Sequence, residues 1–207
     1  MPEQRRTTYA DLAFGPRVRA RQREVGADNR IDPPGDAPFL LDGRDRRLIR
    51  EADFFLLSTV TEAGWPYTQH KGGPRGFVQV PDGRTLVFPD FPGNRQFVTL
   101  GNLDAGSRVC LFFVDFPTRR RLKVFGRART VEAADDPQLI ARLGEVPGMP
   151  RRIDRAVIVQ VTDVDANCSR NITPRWDGAA VDERIDLYRR DIAELKAEVA
   201  RLRSQLG

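Results

Sequence analysis

The sequence predicts a mainly β protein, a β-barrel with attached helices that ends in a coiled-coil-like C-terminal helix. Short segments rich in β-branched and aromatic residues recur between residues 53 and 164, as is typical of strands. Turn signals such as "TEAGW", "KGGP" and "PDGR" separate the first of them, which favours antiparallel pairing. The last 24 residues instead carry apolar residues at heptad spacing.

Length and composition place the chain among ordinary globular proteins. Its 207 residues fit one domain with appendages, and 40% hydrophobic and 30% charged residues are normal usage. No apolar run approaches the ~20 residues that span a bilayer, and the N-terminus lacks the apolar segment of a secretory signal. We therefore expect a cytoplasmic protein with no membrane partner.

The charged and metal-ligating residues exclude two further classes. The net charge of +5 is spread along the chain, and no recognition helix, zinc finger or aromatic RNA platform is visible, so no nucleic-acid partner is expected. Two cysteines, Cys110 and Cys168, and the single histidine, His70, cannot supply the usual four ligands of a zinc site. No metal site is predicted.

Three regions follow one another along the chain. Residues 1–38 form an N-terminal extension with one short helix around 16–25 and a Pro- and Gly-containing linker, "DNRIDPPGDAP". Residues 39–178 form the barrel domain, and residues 184–207 form the heptad helix. The strands predicted in the barrel domain are 53–60, 66–71, 75–80, 84–89, 108–114, 121–132 and 155–164.

Two helices are expected to interrupt these strands. One helix begins within the segment 93–103. The other covers 135–145, where Asp135 or Asp136 can cap the first turn and Pro137 fits inside it. Both have turn residues before them, as helix starts do.

The C-terminal heptad places Ile185, Ile192, Val199 and Leu206 at position a and Tyr188, Leu195 and Leu202 at position d. β-branched residues at a with Leu at d favour parallel, two-stranded pairing. On this register two interhelical pairs are attractive and one is repulsive: Asp191 with Lys196, Glu198 with Arg203, and Arg184 with Arg189. The alternative is an amphipathic helix that lies on its own barrel.

The segment "FPDFPGNRQF", residues 88–97, contains the strongest local site signal. A strand ends at Phe88 and Pro89, a Pro-Gly turn follows, and Asn94 is placed to cap a helix whose first turn contains Arg95. A cation in that turn opposes the helix dipole unless an anion is bound there. Backbone N–H groups and the guanidinium would then form a phosphate cradle. The alternative is that Arg95 extends into water.

Three ordered motifs carry a family resemblance. The stretches "GWPYTQHKGGPRGF", "RTLVFPDFPGNRQFVTLGNL" and "RVCLFFVDFPTRRRLKVFGRART" resemble the pyridoxamine 5′-phosphate oxidase-like flavoproteins, in particular the branch of predicted flavin-nucleotide-binding proteins. The resemblance covers about residues 10–178. It implies an FMN-binding split β-barrel, a homodimer with flavin sites at the subunit interface, and a small-molecule substrate.

The resemblance also implies cofactor-binding positions. One strand would run along the flavin ring and ribityl chain, an aromatic-proline pair would lie against the cofactor, and a polar turn would hold the phosphate. The residues at the matching positions are Tyr67, Thr68, Gln69, His70 and Lys71, then Phe88 and Pro89, then Asn94, Arg95 and Gln96, with Arg121, Arg175 and Trp176 further along the chain. Trp65, Phe88 and Trp176 would be walls of the ring slot, or plain core.

Two departures from the oxidase pattern bear on function. Asn94 stands where the oxidase has an arginine, so part of the phosphate grip would move to Lys71 or Arg121. No histidine follows His70, so the C-terminal arginine-histidine substrate motif is not evident and vitamin B6 oxidation is not expected.

The sequence thus predicts an FMN-dependent oxidoreductase with an unidentified substrate and no assigned catalytic residue. For His70, contact with flavin ranks first, an inert strand position second, and general acid–base catalysis third. The alternative function is a non-enzymatic protein that binds flavin, deazaflavin or haem, or that serves as a sensor.

Overall fold

The computed structural model describes residues 6–27, 39–167 and 169–206, and these form two compact units. One unit comprises the described residues up to Asp115 together with Arg120–Ser169, and the other comprises Phe116–Arg119 and the described residues from Arg170 onward. The predicted linker over 28–38 and Cys168 lie outside the described residues.

The first unit is built on one six-stranded antiparallel sheet that curls into a half-barrel. The strands are β1 (Phe54–Val60), β2 (Pro66–Gly72), β3 (Thr85–Asp90), β4 (Arg108–Asp115), β5 (Arg120–Glu132) and β6 (Arg155–Asn167). Their order across the sheet is β2-β1-β4-β5-β6-β3, so the sheet edges are β2 and β3. The predicted mainly β fold class with attached helices is confirmed, and each of these six strands overlaps a segment where the sequence predicts one.

The helices are α1 (Tyr9–Ala13), α2 (Pro16–Glu24), α3 (Gly43–Glu51), α4 (Val98–Ala105), α5 (Pro137–Gly144) and α6 (Gly178–Leu206). The predictions of α2 and α5 are confirmed, and Asp136 is the residue that caps α5 by accepting from the Leu139 N–H at 2.9 Å. Helices α1 and α3 were not predicted. Leu48 and Ile49 are the only large apolar residues of α3, too few to form a repeating pattern in the sequence, and both are buried.

The predicted strand over residues 75–80 is wrong. Gly76 has a φ of 88°, and the Phe77 N–H donates to the Pro74 carbonyl, so a turn occupies the start of this segment. Only Gln79 pairs with the sheet, through an isolated bridge to Val87. The apolar residues of this segment lie in the core without forming a ladder.

Aromatic side chains fill the centre of the half-barrel. Phe55 has its ring 4.9 Å from that of Phe88 and 5.0 Å from that of Phe113, and Phe77 is stacked on it at 5.9 Å. All four side chains are buried. Aromatic pairs contribute about 0.5–1.5 kcal/mol beyond the apolar area they bury, so this cluster is central to the stability of the half-barrel.

The long strand β5 contains a bulge that only glycine accommodates. The register between β5 and β6 shifts between Phe125 and Gly126, and a Cβ on Gly126 would lie 2.5 Å from the Gln160 carbonyl oxygen. Bulges bend a strand, and this one lets β5 curl with the sheet.

The second unit consists mainly of α6. Asp177 caps this helix, because its side chain accepts from the Ala180 N–H at 2.7 Å. Across the described ranges, no helix combines the length and the apolar character that a membrane span requires.

Candidate functional site

A cleft of about 340 Å³ opens at the sheet edges, between β2, the end of β3 and the start of α4. It is lined by Tyr67, Gln69 and Lys71 of β2, by residues 90–100, and by Arg152, Asp154 and Arg155 around the start of β6. Several of the predicted cofactor positions therefore meet in one place, although they are far apart in the sequence.

Strand β2 turns only alternate side chains toward this cleft. Tyr67, Gln69 and Lys71 pair across the sheet with core residues of β1, whereas Thr68 and His70 pair with Ser58 and Leu56 on the opposite face. There Thr68 Oγ1 lies 3.0 Å from Ser58 Oγ. Of the five positions predicted on this strand, three line the cleft and two do not.

His70 belongs to a different environment from the cleft. Its ring is stacked on that of Phe54, with the centroids 5.4 Å apart and the planes 13° apart. It also borders a separate depression of about 150 Å³, together with Lys71 and Pro89. A role for His70 toward a ligand stays a prediction.

One wall of the cleft is a closed network of ion pairs, which we call the β2–β3 wall. Lys71 Nζ lies 2.6 Å from Asp90 Oδ1, and Arg155 Nη1 lies 2.8 Å from Asp90 Oδ2. Arg155 Nε also donates to Glu132 Oε1 at 2.8 Å. The hydrogen bond to Glu132, with that to Asp90, raises the pKa of Arg155 above its usual value. The charge of Lys71 is thus already compensated.

The opposite wall is the turn that leads into α4, and here the predicted cap is wrong. Arg95 and Phe97 have φ values of 61° and 55°, so the chain becomes helical only at Val98. Asn94 instead closes a local turn, because its Oδ1 accepts from the Gln96 N–H at 3.1 Å. Sequence reasoning located the turn and its polar residues but placed the helix start several residues too early.

The start of α4 has unused hydrogen-bonding capacity. Its N-cap residue, Phe97, has a left-handed backbone and makes no side-chain cap, so the first-turn N–H groups lack the usual acceptor. Arg95 is exposed beside them, and among the described residues no carboxylate pairs with it. Open N–H groups, the positive end of a helix dipole and a guanidinium together favour an anion.

Two contacts hold this turn against the rest of the cleft. Thr99 Oγ1 donates to Gln69 Oε1 at 2.7 Å, which ties the first turn of α4 to β2. The Arg155 guanidinium lies 6.0 Å from the centroid of the Phe97 ring, which is 55% exposed. Sequence reasoning missed Asp90, Phe97, Thr99 and Arg155; the one available signal was a carboxylate at the end of an otherwise apolar strand.

The remaining predicted positions lie elsewhere. Phe88 is fully buried in the aromatic core, and its predicted place against a cofactor stays a prediction. Arg121 lies on the sheet face opposite the buried Leu122, outside the cleft lining, and its Nε is buried without a hydrogen-bond partner among the described residues. Trp65 is 72% exposed beside the β1–β2 turn and does not line the cleft.

Arg175 and Trp176 belong to the second compact unit. The Arg175 guanidinium lies 5.2 Å from the centroid of the Phe116 ring, and Trp176 is 60% exposed. Their predicted contact with the flavin of a partner subunit stays a prediction.

The cleft is equipped for binding more clearly than for proton transfer. Its ionisable side chains are aspartates, arginines, Lys71 and Tyr67, and among the described residues neither a histidine nor a cysteine lines it. Cys110 lies in β4, and burial raises the pKa of its thiol, which disfavours the reactive thiolate. Over the parts of the chain that the structure describes, no group of three His, Cys, Asp or Glu could hold a metal ion.

Comparison with known proteins identifies the family. Residues 41–166 match the family model described as pyridoxamine 5′-phosphate oxidase, which confirms the resemblance drawn from the three motifs. A search of curated proteins gave no match.

Solved structures of similar proteins come from several bacteria. HupZ from Group A Streptococcus is 15% identical, with a TM-score of 0.48 and coverage of 66% of this chain and 100% of that chain. An FMN-binding protein from Syntrophomonas wolfei is 12% identical, with a TM-score of 0.42 and coverage of 60% and 89%. The haem storage protein HutZ from Vibrio cholerae is 21% identical, with a TM-score of 0.42 and coverage of 59% and 91%.

Proposed function

Because the chain belongs to the pyridoxamine 5′-phosphate oxidase family, we propose that its cleft binds FMN and that the protein is an FMN-dependent oxidoreductase acting on a small molecule. The observation that carries this proposal is the start of α4, where Arg95 and the uncapped first-turn N–H groups lie without an anionic partner among the described residues. A phosphate monoester satisfies both at once.

Among the cationic side chains of the cleft, Arg95 is favoured as the phosphate ligand because the others are already ion-paired. Lys71 and Arg155 share Asp90, and Arg152 lies 2.9 Å from Asp154. A phosphate that approached these three would have to compete with the carboxylates already bound to them. Arg95 gains its first ionic partner from the ligand.

The rest of the cleft suits a flat, amphipathic ring. Tyr67 and Phe97 supply aromatic surface, and Gln69 supplies an amide at the same wall. A volume of about 340 Å³ is at the lower end of the range for ligand pockets, roughly 300–1,000 Å³, so one subunit encloses only part of such a ligand.

A second subunit is therefore part of the proposal, as a homodimer that completes the flavin site. Support comes from the outer sheet face, where Leu56, Phe112 and Val114 are only half-buried and Arg121 has its unpartnered Nε. A partner that covers this face would bury the apolar side chains and provide an acceptor for Arg121.

When bound, FMN supplies the hydride and electron transfer chemistry. The side chains of this cleft bind and orient: Arg95 and α4 hold the phosphate, and Gln69, itself held by Thr99, presents a fixed amide. The second candidate is a flavin-binding protein without turnover, which is favoured because none of the described residues that line the cleft is a histidine or a cysteine. Rapid reduction by NADH or NADPH, followed by turnover of an acceptor, would decide for the oxidoreductase.

The test of FMN binding compares two ligands and two arginines. Affinities for FMN and for riboflavin, which lacks the phosphate, are measured by fluorescence quenching for the parent protein, Arg95→Ala and Arg152→Ala. Arg95→Ala is expected to weaken FMN binding by about tenfold to a hundredfold, the value of a charge-assisted hydrogen bond, and to leave riboflavin binding unchanged. Arg152→Ala is the control, since Arg152 lines the same cleft but is paired with Asp154.

Each outcome of this comparison has a separate meaning. If Arg95→Ala lowers the affinities for FMN and riboflavin equally, Arg95 does not bind the phosphate. If the parent protein binds neither ligand and purifies colourless, the FMN proposal is wrong. A co-purifying deazaflavin or haem would be recognised from its absorbance spectrum and would replace FMN as the ligand.

A further inference from the structure

We propose that α6 pairs in parallel and in register with α6 of a second copy of this chain, as a two-stranded coiled coil over residues 181–206. The proposal is independent of the ligand of the cleft. Its first basis is a continuous helix of 29 residues whose large apolar side chains are exposed. Relative exposures are 50% for Ile192, 65% for Leu195, 47% for Val199 and 45% for Leu202.

The apolar positions follow one heptad register along the whole helix. Position a holds Ile185, Ile192, Val199 and Leu206, and position d holds Val181, Tyr188, Leu195 and Leu202. Between Leu195 and Leu202 the helix satisfies the preference of two-stranded coils for a β-branched residue at a and Leu at d. Burying these side chains provides a hydrophobic driving force that a solvated helix lacks.

The charges that flank the stripe are complementary to a second copy in parallel. In that arrangement Asp191 faces Lys196 of the partner subunit, and Glu198, which also pairs with Arg201 on the exposed surface of its own helix, faces Arg203 of the partner subunit, each twice by symmetry. A helix that carries both members of each pair needs no other protein to supply them. This self-complementarity identifies the occupant of the stripe as a second α6.

The antiparallel arrangement that buries the same layers is disfavoured. It places Asp191 opposite Glu198 of the partner subunit and Arg189 opposite Lys196 of the partner subunit, so like charges meet on both flanks, and it has a single attractive pair, Asp182 with Arg203 of the partner subunit. Like charges at coiled-coil flanks act against that pairing.

The pairing is expected to be tighter toward the end of the helix than toward its start. Arg184 faces Arg189 of the partner subunit, and Tyr188 occupies a d position that Leu fills better. The attractive pairs and the Leu residues at d both lie after residue 190. The probes of the test therefore lie in this second half.

The test uses the full chain with Cys110 and Cys168 replaced by serine and one new cysteine in α6. The variants are Leu195→Cys and Leu202→Cys at d, with Ala197→Cys at the outward-facing f position as the control. Under a glutathione redox buffer we expect disulfide-linked dimers to be about tenfold or more favoured at residues 195 and 202 over residue 197, because only facing d positions meet the geometry of a disulfide. The yield is read from non-reducing gels and intact mass.

The position of the cross-link decides the orientation. In the antiparallel arrangement residue 202 would face residue 185 of the other chain, and the two copies of residue 202 would lie about 25 Å apart along the helix. Failure of the cross-link at 202 with success at 195 would therefore overturn the proposal. Equal yields at 195, 197 and 202 would overturn it too, because they would indicate random collision. A dimer held together only by the barrel would likewise give no preference for the d positions.

A second substitution confirms that the stripe drives the pairing. Ile192→Asp, added to Leu202→Cys, is expected to lower the disulfide yield about tenfold, whereas Leu187→Asp at position c is expected to change it less than about twofold. Leu187 is a matched control, because it is 42% exposed on the same helix but lies off the stripe. Equal effects of the two substitutions would contradict pairing through positions a and d.

Discussion

The two walls of the cleft hold similar cations in different states. On the β2–β3 wall the side chains of Lys71, Asp90 and Arg155 are 12–15% exposed and ion-paired to one another. On the opposite wall, formed by residues 94–97 and the start of α4 and called here the α4 wall, Arg95 is exposed beside uncapped N–H groups and, among the described residues, has no carboxylate partner. One wall has satisfied its charges internally, and the other retains the capacity to bind.

The difference shows that a cation marks an anion site only when its charge is available. Lys71 and Arg95 both stand at positions that the family resemblance connects with the cofactor, and both carry one positive charge. Because Asp90 lies 2.6 Å from Lys71, a phosphate there would meet a carboxylate at the same time. The β2–β3 wall is therefore a support that joins the two sheet edges, and the α4 wall is the candidate for recognition.

Removing Asp90 tests the supporting role and should have the largest effect. Asp90→Ala leaves Lys71 and Arg155 mostly buried without their shared carboxylate, and we expect a loss of about 2–4 kcal/mol in the free energy of unfolding, measured with urea. Asp154→Ala is the control, because its partner Arg152 is 75% exposed and such pairs contribute about 0–1 kcal/mol. Equal losses would show that the network gives the wall no special stability.

The strands were predictable because their evidence is local. In β1 and β4 every second residue is buried, and β-branched and aromatic residues mark both strands in the sequence. The segment 75–80 has the same composition but forms no strand, since the turn at Gly76 and the core packing of Phe77 and Val78 override its β propensity. Composition predicts an extended apolar segment, whereas pairing depends on where the chain turns.

The site was predictable only in outline for a similar reason. The motif around Asn94 and Arg95 located the polar turn, but the left-handed residues that delay α4 have no clear local signal, since neither is glycine or asparagine. Whether the charge of Lys71 is already ion-paired depends on Asp90 and Arg155, which lie 19 and 84 positions further along the chain and which only the folded sheet brings close to it. Availability of a charge is a tertiary property.

The contact that joins the two walls should have an intermediate effect. Thr99→Val keeps the shape of the side chain but removes the hydrogen bond to Gln69, and we expect a loss of about 1 kcal/mol in the free energy of unfolding. Ser58→Ala removes a hydroxyl contact to Thr68 at similar distance, and a smaller loss is expected because that contact is exposed within the subunit whose unfolding is measured. If Thr99→Val costs no more than Ser58→Ala, the two walls are not held together by this bond.

The smallest expected effect concerns the strained backbone of the α4 wall. Arg95 has a φ of 61°, a conformation that is costly for residues with a Cβ and easy for glycine. Arg95→Gly and Arg95→Ala both remove the guanidinium, so both should lose the same affinity for FMN, yet the glycine variant should be more stable by about 0.5–1 kcal/mol in urea unfolding. Since the two variants differ only in the Cβ, the difference between their free energies of unfolding measures the backbone strain at residue 95. An alanine variant as stable as the glycine variant would mean that Arg95 is not held at positive φ in solution, and the comparison between the two walls would then rest on charge alone.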